Sequence, residues 1–88
     1  MSKPYLEVTY RQGKPFAAYL YLRRQPGDIA ARTDHRDDFL VDYASDGRPM
    51  GIEFTRISSV DLAAVNRVLQ EAHETSLLPR DLAPLITV

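Results

Sequence analysis

The stretch FLVDYASDGRPMGIEF, residues 39–54, predicts the centre of the fold. Apolar and polar residues alternate on both sides of Asp46-Gly47, a dipeptide that favours a two-residue hairpin turn. A turn centred there pairs Tyr43 with Met50 and Val41 with Ile52. One face of the hairpin then carries six apolar residues, namely Phe39, Val41, Tyr43, Met50, Ile52 and Phe54. This alternation is typical of an antiparallel sheet with one buried face.

A second hairpin is predicted nearer the N-terminus, where residues 5–11 and 16–23 alternate in the same way. Gln12-Gly13-Lys14 lies between them and fits a three-residue loop in which glycine supplies a positive φ. The register that keeps apolar partners on one face pairs Leu6 with Leu20, Val8 with Ala18 and Tyr10 with Phe16. Residues 29–35 show a weak further strand pattern, so we expect four to five strands within residues 4–55.

An amphipathic helix is predicted over residues 59–75. Ser58 and Asp61 resemble a capping box at its start. The helix must cover the apolar face of the sheet, because neither element can bury its apolar side alone. An apolar tail follows over residues 77–88. We therefore expect one domain over residues 1–88, an α+β fold in which an antiparallel β-meander sheet packs against one C-terminal amphipathic helix. The apolar stripe of the helix consists of Leu62, Val65, Val68, Leu69 and Ala72.

Composition narrows the function classes. The 88 residues include no cysteine, which excludes disulfides and thiolate metal sites. The first residues lack the apolar stretch of a signal peptide, and no apolar run reaches membrane-spanning length, so a cytoplasmic location is expected. The net charge of −1 gives no general attraction to nucleic acid.

Residues 1–32 hold six Lys/Arg and two acids (+4), whereas residues 33–88 hold five Arg and ten acids (−5). This asymmetry fits either chance in a short chain or a polar molecule that pairs with a second copy.

Within residues 41–54 the chain resembles the signature hairpin of the domain of unknown function 2283 family. That hairpin has an Asp-containing strand, an acidic-Gly turn and then Gly-Ile-Glu; the matching positions are Asp42, Asp46, Gly47, Gly51, Ile52 and Glu53. The segment Tyr19-Leu20-Tyr21-Leu22 also resembles the second strand of the family, and the resemblance covers roughly residues 5–55. Family members often carry an Asp shortly after the first-strand Tyr, but Arg11-Gln12-Gly13-Lys14 contains no acid. The resemblance implies a small intracellular β+α protein from bacteria or archaea, and it implies no particular activity.

Few residues suggest a catalytic or metal-binding role. In the predicted register Asp42 faces Gly51, and Glu53 lies diagonally from it on the outward face, within reach of its side chain. Two carboxylates there could hold a divalent cation or share a proton, or they could belong to a solvated surface. His35 lies in an acidic stretch and His73 near the predicted helix end, and neither has converging metal ligands. We expect no catalytic residue, no metal site and no cofactor.

The outward face of the predicted sheet is richer in aromatic side chains than a solvated face requires. The predicted partner-binding residues are Tyr5, Tyr19, Tyr21, Arg23 and Leu40. Tyr and Arg are enriched at the centres of protein interfaces. Aromatic side chains on a sheet can also stack nucleic-acid bases, but Glu7, Asp42 and Glu53 share this face and disfavour nucleic acid.

Three functional hypotheses follow. The leading one is a non-enzymatic binding or structural module that acts as a homodimer, through the outward tyrosines or the apolar tail. The second is an antitoxin-like or regulatory protein that binds another protein through the tail from Leu77. The third is an enzyme or metal site that uses Asp42 and Glu53. A plain, solvated β surface is the simplest alternative to all three.

Overall fold

The computed structural model describes residues 4–23, 25–36, 38–83 and 85–86. In this part of the chain five strands precede one α-helix, which confirms the predicted α+β class. The strands are β1 (Tyr5–Arg11), β2 (Lys14–Tyr21), β3 (Ala30–His35), β4 (Phe39–Ala44) and β5 (Pro49–Phe54). The helix α1 (Leu62–Glu71) lies between two 3₁₀ turns, Ile57–Ser59 and Pro79–Leu82. No helix in the described part is long and apolar enough to cross a membrane.

The strands form a single antiparallel sheet in the order β1-β2-β5-β4-β3, so the predicted β-meander connectivity is wrong. A meander would place β3 beside β2, but the chain crosses to the far edge and β5 returns to the centre. The physical reason is burial. Five of the six residues of β5 are buried, which suits a central strand, whereas β3 reads AARTDH and has no buried residue. A polar strand is tolerated at an edge.

The β4–β5 hairpin largely has the predicted register. Val41 pairs with Ile52, and Asp42 pairs with Gly51, as expected. The predicted two-residue turn is wrong, because Gly47 N–H donates to Ala44 C=O and Ala44 N–H donates to Arg48 C=O, so the loop holds three residues, 45–47. Tyr43 consequently pairs with Pro49 rather than with the predicted Met50, and the register shift between Asp42 and Tyr43 offsets the extra loop residue. All six apolar residues predicted on one face are buried in spite of this shift.

The β1–β2 hairpin differs from the prediction near its tip. Leu6 pairs with Leu20 and Val8 with Ala18, as expected, but Tyr10 pairs with Pro15 instead of Phe16. The loop has two residues rather than three, since both Gln12 (φ 54°) and Gly13 (φ 78°) adopt the positive φ of a type I′ turn. Because β5 pairs with β2 only as far as Ala18, the tip projects beyond the sheet. Tyr10 and Phe16 are consequently 54% exposed.

The helix is shorter than predicted at both ends. Asp61 is its N-cap, and one carboxylate oxygen accepts hydrogen bonds from the N–H groups of Ala63 (3.0 Å) and Ala64 (3.3 Å). The predicted capping box at Ser58 is therefore wrong, because one residue nearer the apolar stripe already satisfies the free N–H groups. At the other end His73 adopts a left-handed φ of 59°, which ends the helix before residue 75.

The helix and the tail cover the same face of the sheet. The core contains Leu20, Val41, Ile52, Val65, Leu69 and Leu82, each fully or almost fully buried. Asn66 holds the tail against the helix, since its side chain accepts from Leu77 N–H (2.7 Å) and donates to Leu77 C=O (3.1 Å). Leu77 and Leu82 thus belong to the core of their own chain.

An ion pair secures the crossover from β2 to β3. Arg48, at the start of the β5 side of the hairpin, donates to both carboxylate oxygens of Asp28 (2.8 and 3.1 Å), and both side chains are 10% exposed. It also donates to the C=O of Arg23 (3.0 Å). The hydrogen bond to Asp28 raises the pKa of Arg48 above its ordinary value, so this guanidinium stays charged in the folded chain.

Candidate interaction surface on the sheet

The face of the sheet opposite α1 is referred to below as the tyrosine face. Strand register arranges its residues in two rows that cross all five strands. One row is Tyr5, Tyr21, Gly51, Asp42 and Thr33, and the next is Glu7, Tyr19, Glu53, Leu40 and His35. The alternation of side chains along each strand therefore brings the three predicted tyrosines and Leu40 onto one surface.

The tyrosines form a continuous aromatic cluster at the β1–β2 end of this face. The rings of Tyr5 and Tyr21 are stacked, with centroids 4.8 Å apart and planes 17° apart. The ring of Tyr19 also lies 4.8 Å from that of Tyr21, tilted by 60°. The Tyr21 hydroxyl donates to Glu7 Oε1 at 3.2 Å. Tyr5 is 59% exposed, so the outer end of the cluster is open to a binding partner.

Tyr19 reaches across β5 because residue 51 has no side chain. A Cβ at this position would collide with the ring and hydroxyl of Tyr19. The Tyr19 hydroxyl lies beyond Gly51 and donates to Asp42 Oδ2 on β4 at 2.7 Å. The other carboxylate oxygen, Oδ1, accepts from the Thr33 hydroxyl at 2.6 Å. These two hydrogen bonds thus connect β2, β4 and β3 and hold the tyrosine ring over Gly51.

Asp42 thus has hydrogen-bond partners that the sequence did not reveal. Asp42 and Glu53 do lie diagonally on the same face, but both Asp42 oxygens accept hydrogen bonds from hydroxyl groups. Glu53 is exposed. Gly51 inside a strand was a signal for a close approach. Nothing in the sequence indicated that Thr33 belongs to this site, because the strand pattern of residues 29–35 was weak. Among the described residues, no group of three His, Asp or Glu side chains is placed to hold a metal ion.

Arg23 does not join the tyrosines. Its guanidinium pairs with Glu74, which follows the helix, at 3.3 Å, and it therefore lies away from the tyrosine face. Leu40 is half-buried between Glu53 and His35. Of the five predicted partner-binding residues, the structure brings together the three tyrosines and Leu40 and places Arg23 elsewhere.

A cleft of about 440 Å³ lies between the helix and the β3–β4 connection. It contains neither Asp42 nor Glu53, so the two carboxylates of the enzyme hypothesis do not share a pocket there. Basic and acidic side chains are interspersed along it. Its lining consists of His35, Arg36, Asp38, Phe39, Asp61, Ala64, Arg67, Val68 and Glu71.

Comparison of the chain with protein-family models, with curated proteins and with solved structures finds no match. The resemblance to the domain of unknown function 2283 family therefore rests on the sequence pattern of roughly residues 5–55 and stays a prediction.

Proposed function

We propose that this chain is a non-enzymatic binding module that acts as a homodimer and presents the tyrosine face to a protein partner. The observation that carries the proposal is the aromatic cluster of Tyr5, Tyr21 and Tyr19, which occupies a sheet face that no other described element covers. Tyrosine supplies a large contact area and loses little rotamer entropy on binding. Tyr19 and Tyr21 are already held by hydrogen bonds to carboxylates, which lowers that loss further.

The charges on the face favour a cationic partner segment. Glu7, Asp42 and Glu53 lie in the same two rows as the tyrosines. Arg and Lys side chains are attracted both to carboxylates and to the faces of aromatic rings, at about 0.5–2 kcal/mol per ring contact. The same carboxylates repel a phosphate backbone, which disfavours nucleic acid. The partner class is therefore a protein segment that exposes Arg or Lys.

The test is a titration of the isotope-labelled chain with a glycine–arginine peptide, followed by NMR. A matched peptide with citrulline in place of arginine removes the charge and keeps the shape. We expect shifts at Tyr5, Tyr21 and Glu53 with the arginine peptide only. Tyr21→Ala should weaken binding at least tenfold, whereas Phe16→Ala, which removes an exposed aromatic ring at the hairpin tip, should leave it unchanged. Equal shifts with both peptides, or shifts confined to the tip, would refute the proposal.

The other two hypotheses gain no support from the observed contacts. Tail docking on a partner would need Leu77 and Leu82 to leave their own core. A cation at Asp42 would have to displace the hydroxyls of Tyr19 and Thr33. We expect calorimetric titration with zinc, manganese and calcium to show no stoichiometric binding. A tight site that disappears in Asp42→Asn or Glu53→Gln would restore the enzyme or metal hypothesis.

A cytoplasmic location and membership of the domain of unknown function 2283 family complete the proposal. The family assignment rests on the motif residues of the sequence; in this chain the Asp42–Gly51 pair of the motif places Tyr19 against a carboxylate across a glycine. Sequences that belong to the family by other criteria should then carry a tyrosine or a small polar residue at the position of Tyr19 whenever they keep both motif residues. Large aliphatic residues there would count against the assignment.

A further inference from the structure

The two edges of the sheet differ in how they are protected against pairing. Edge strands of soluble proteins usually carry bulges, prolines, charges or a covering element that prevent association. The β3 edge has such devices: its register shifts between Ala30 and Arg32, and Arg32 pairs with Asp34 at 3.0 Å. That hydrogen bond from Arg32 lowers the pKa of the Asp34 carboxyl, which keeps the edge charged. The strand β1 contains no proline; it carries Glu7 and Arg11, but two of its three core-facing residues, Leu6 and Val8, are apolar and only partly buried.

The irregularity in the β1–β2 ladder belongs to β2, not to β1. Thr9 pairs with Ala17 and Tyr10 with Pro15, so the extra residue is Phe16. The strand β1 therefore runs unbroken from Tyr5 to Arg11 and can accept a regular antiparallel neighbour.

The backbone groups of three β1 residues face the free edge. Residues of a strand alternate between bonding to one side and to the other. Leu22 N–H donates to Met50 C=O at 3.0 Å, so the even-numbered residues of β2 bond toward β5 and the odd-numbered residues bond toward β1. Their odd-numbered partners in β1 bond back to β2, which leaves Leu6, Val8 and Tyr10 with N–H and C=O groups that point outward. Among the described residues, no backbone hydrogen bond from beyond the hairpin reaches them.

We propose that β1 of a second copy pairs antiparallel with this edge about a two-fold axis at Val8, which joins two five-stranded sheets into one of ten strands. In this register Leu6 lies opposite the partner's Tyr10 and covers a ring that is 54% exposed in the single chain. Glu7 lies opposite the partner's Thr9 and diagonal to both its Arg11 and its Glu7, so the pair has two diagonals of opposite charge and one of like charge. A two-fold axis at Glu7 would instead place two carboxylates face to face, and an axis at Thr9 would leave Tyr5 and Leu6 outside the paired strands.

This inference rests on the homodimer in the proposed function and names the surface that forms it. Tyr5 lies at the β1 edge of the tyrosine face, so pairing places the tyrosine faces of both copies side by side on one continuous sheet. A partner with several cationic side chains could then contact both copies at once. An interface of one strand pair is small, and we expect a dimer that dissociates on dilution.

The absence of cysteine makes the register directly testable by single-cysteine cross-linking. In the Val8-centred pair the two Val8 Cα atoms lie about 5.5 Å apart, within disulfide range. Two copies of Glu7, or of Thr9, lie diagonally at about 7–8 Å, which is beyond it. Under mild oxidation Val8→Cys should form covalent dimers at least tenfold faster than Glu7→Cys or Thr9→Cys. Equal rates for all three variants, or fastest cross-linking at position 7 or 9, would overturn the proposed pairing.

Sedimentation over a concentration series provides a second measurement that needs no cross-link. Tyr10→Lys places a charge at the proposed edge contact and should weaken the dimer at least tenfold. Phe16→Lys alters a ring of the same 54% exposure on the neighbouring strand and should not. Circular dichroism checks that both variants stay folded. A wild-type chain that is monomeric at every concentration, or equal weakening by both variants, refutes edge pairing. Tyr21→Ala should leave the dimer intact while it weakens peptide binding, so failure of the dimer and failure of the tyrosine-face proposal are separable.

Discussion

Gly51→Ala tests whether Tyr19 lies across β5. Gly51 does not have a left-handed backbone, so alanine fits its conformation, and replacing glycine inside a strand normally stabilises a protein by roughly 0.5–1 kcal/mol. Here the new Cβ would collide with the Tyr19 ring and hydroxyl. The ring must then rotate away and lose its 2.7 Å hydrogen bond to Asp42.

The magnitude follows from two opposing contributions. A hydrogen bond to an ionised group stabilises a fold by about 1.5–3 kcal/mol, and the partly buried Tyr19–Asp42 bond belongs near 1.5 kcal/mol. After the gain from alanine is subtracted, Gly51→Ala should lower the free energy of unfolding by about 0.5–1 kcal/mol. In a Tyr19→Ala background the collision is absent, and Gly51→Ala should raise the free energy of unfolding by about 0.5–1 kcal/mol. The coupling free energy between positions 19 and 51 is thus about 1.5 kcal/mol.

Urea denaturation of the wild type, both single variants and the double variant, followed by circular dichroism, measures this cycle. Constant denaturant slopes across the four proteins would show that the unfolded state is unchanged. The reasoning is refuted if Gly51→Ala stabilises both backgrounds equally, because the ring would then not occupy the space above residue 51.

Three further changes probe the core, the crossover and the tail. Ile52→Ala removes a fully buried side chain at the centre of the sheet and should lower the free energy of unfolding by about 2–5 kcal/mol; a stability like that of the wild type in chemical denaturation would contradict the observed packing. Arg48→Met removes the hydrogen bonds between the guanidinium and Asp28, which still accepts from Gln25 N–H, and should lower the free energy of unfolding by about 1.5–3 kcal/mol and the thermal midpoint with it; Arg48→Lys should lose less because it keeps the charge. Asn66→Ala removes both hydrogen bonds to Leu77, so hydrogen exchange of the Leu77 amide should accelerate at least tenfold. Asn66→Asp still accepts from that amide and should retain most of the protection, and equal rates in all three proteins would show that Asn66 does not hold the tail.

Sequence periodicity was sufficient for the elements whose structure depends on near neighbours. The alternation around Asp46-Gly47 correctly predicted the pairing of Val41 with Ile52, although the turn has one residue more than predicted, because the register shift beside the turn offsets that residue. The same alternation placed Tyr5, Tyr19 and Tyr21 on one face, since successive side chains of a strand point to opposite sides. The tyrosine content of the candidate surface was therefore predictable from the residues alone.

Strand order and the contacts within that surface depended on interactions between distant segments. Periodicity describes which side of a strand is apolar, but it does not say which strand becomes central. Competition for burial decided this, and it placed the apolar β5 between β2 and β4 and left the polar β3 at an edge. Only that order puts Gly51 between Tyr19 and Asp42, residues 23 positions apart in the chain, so their hydrogen bond exists because the assembled sheet provides the path between them.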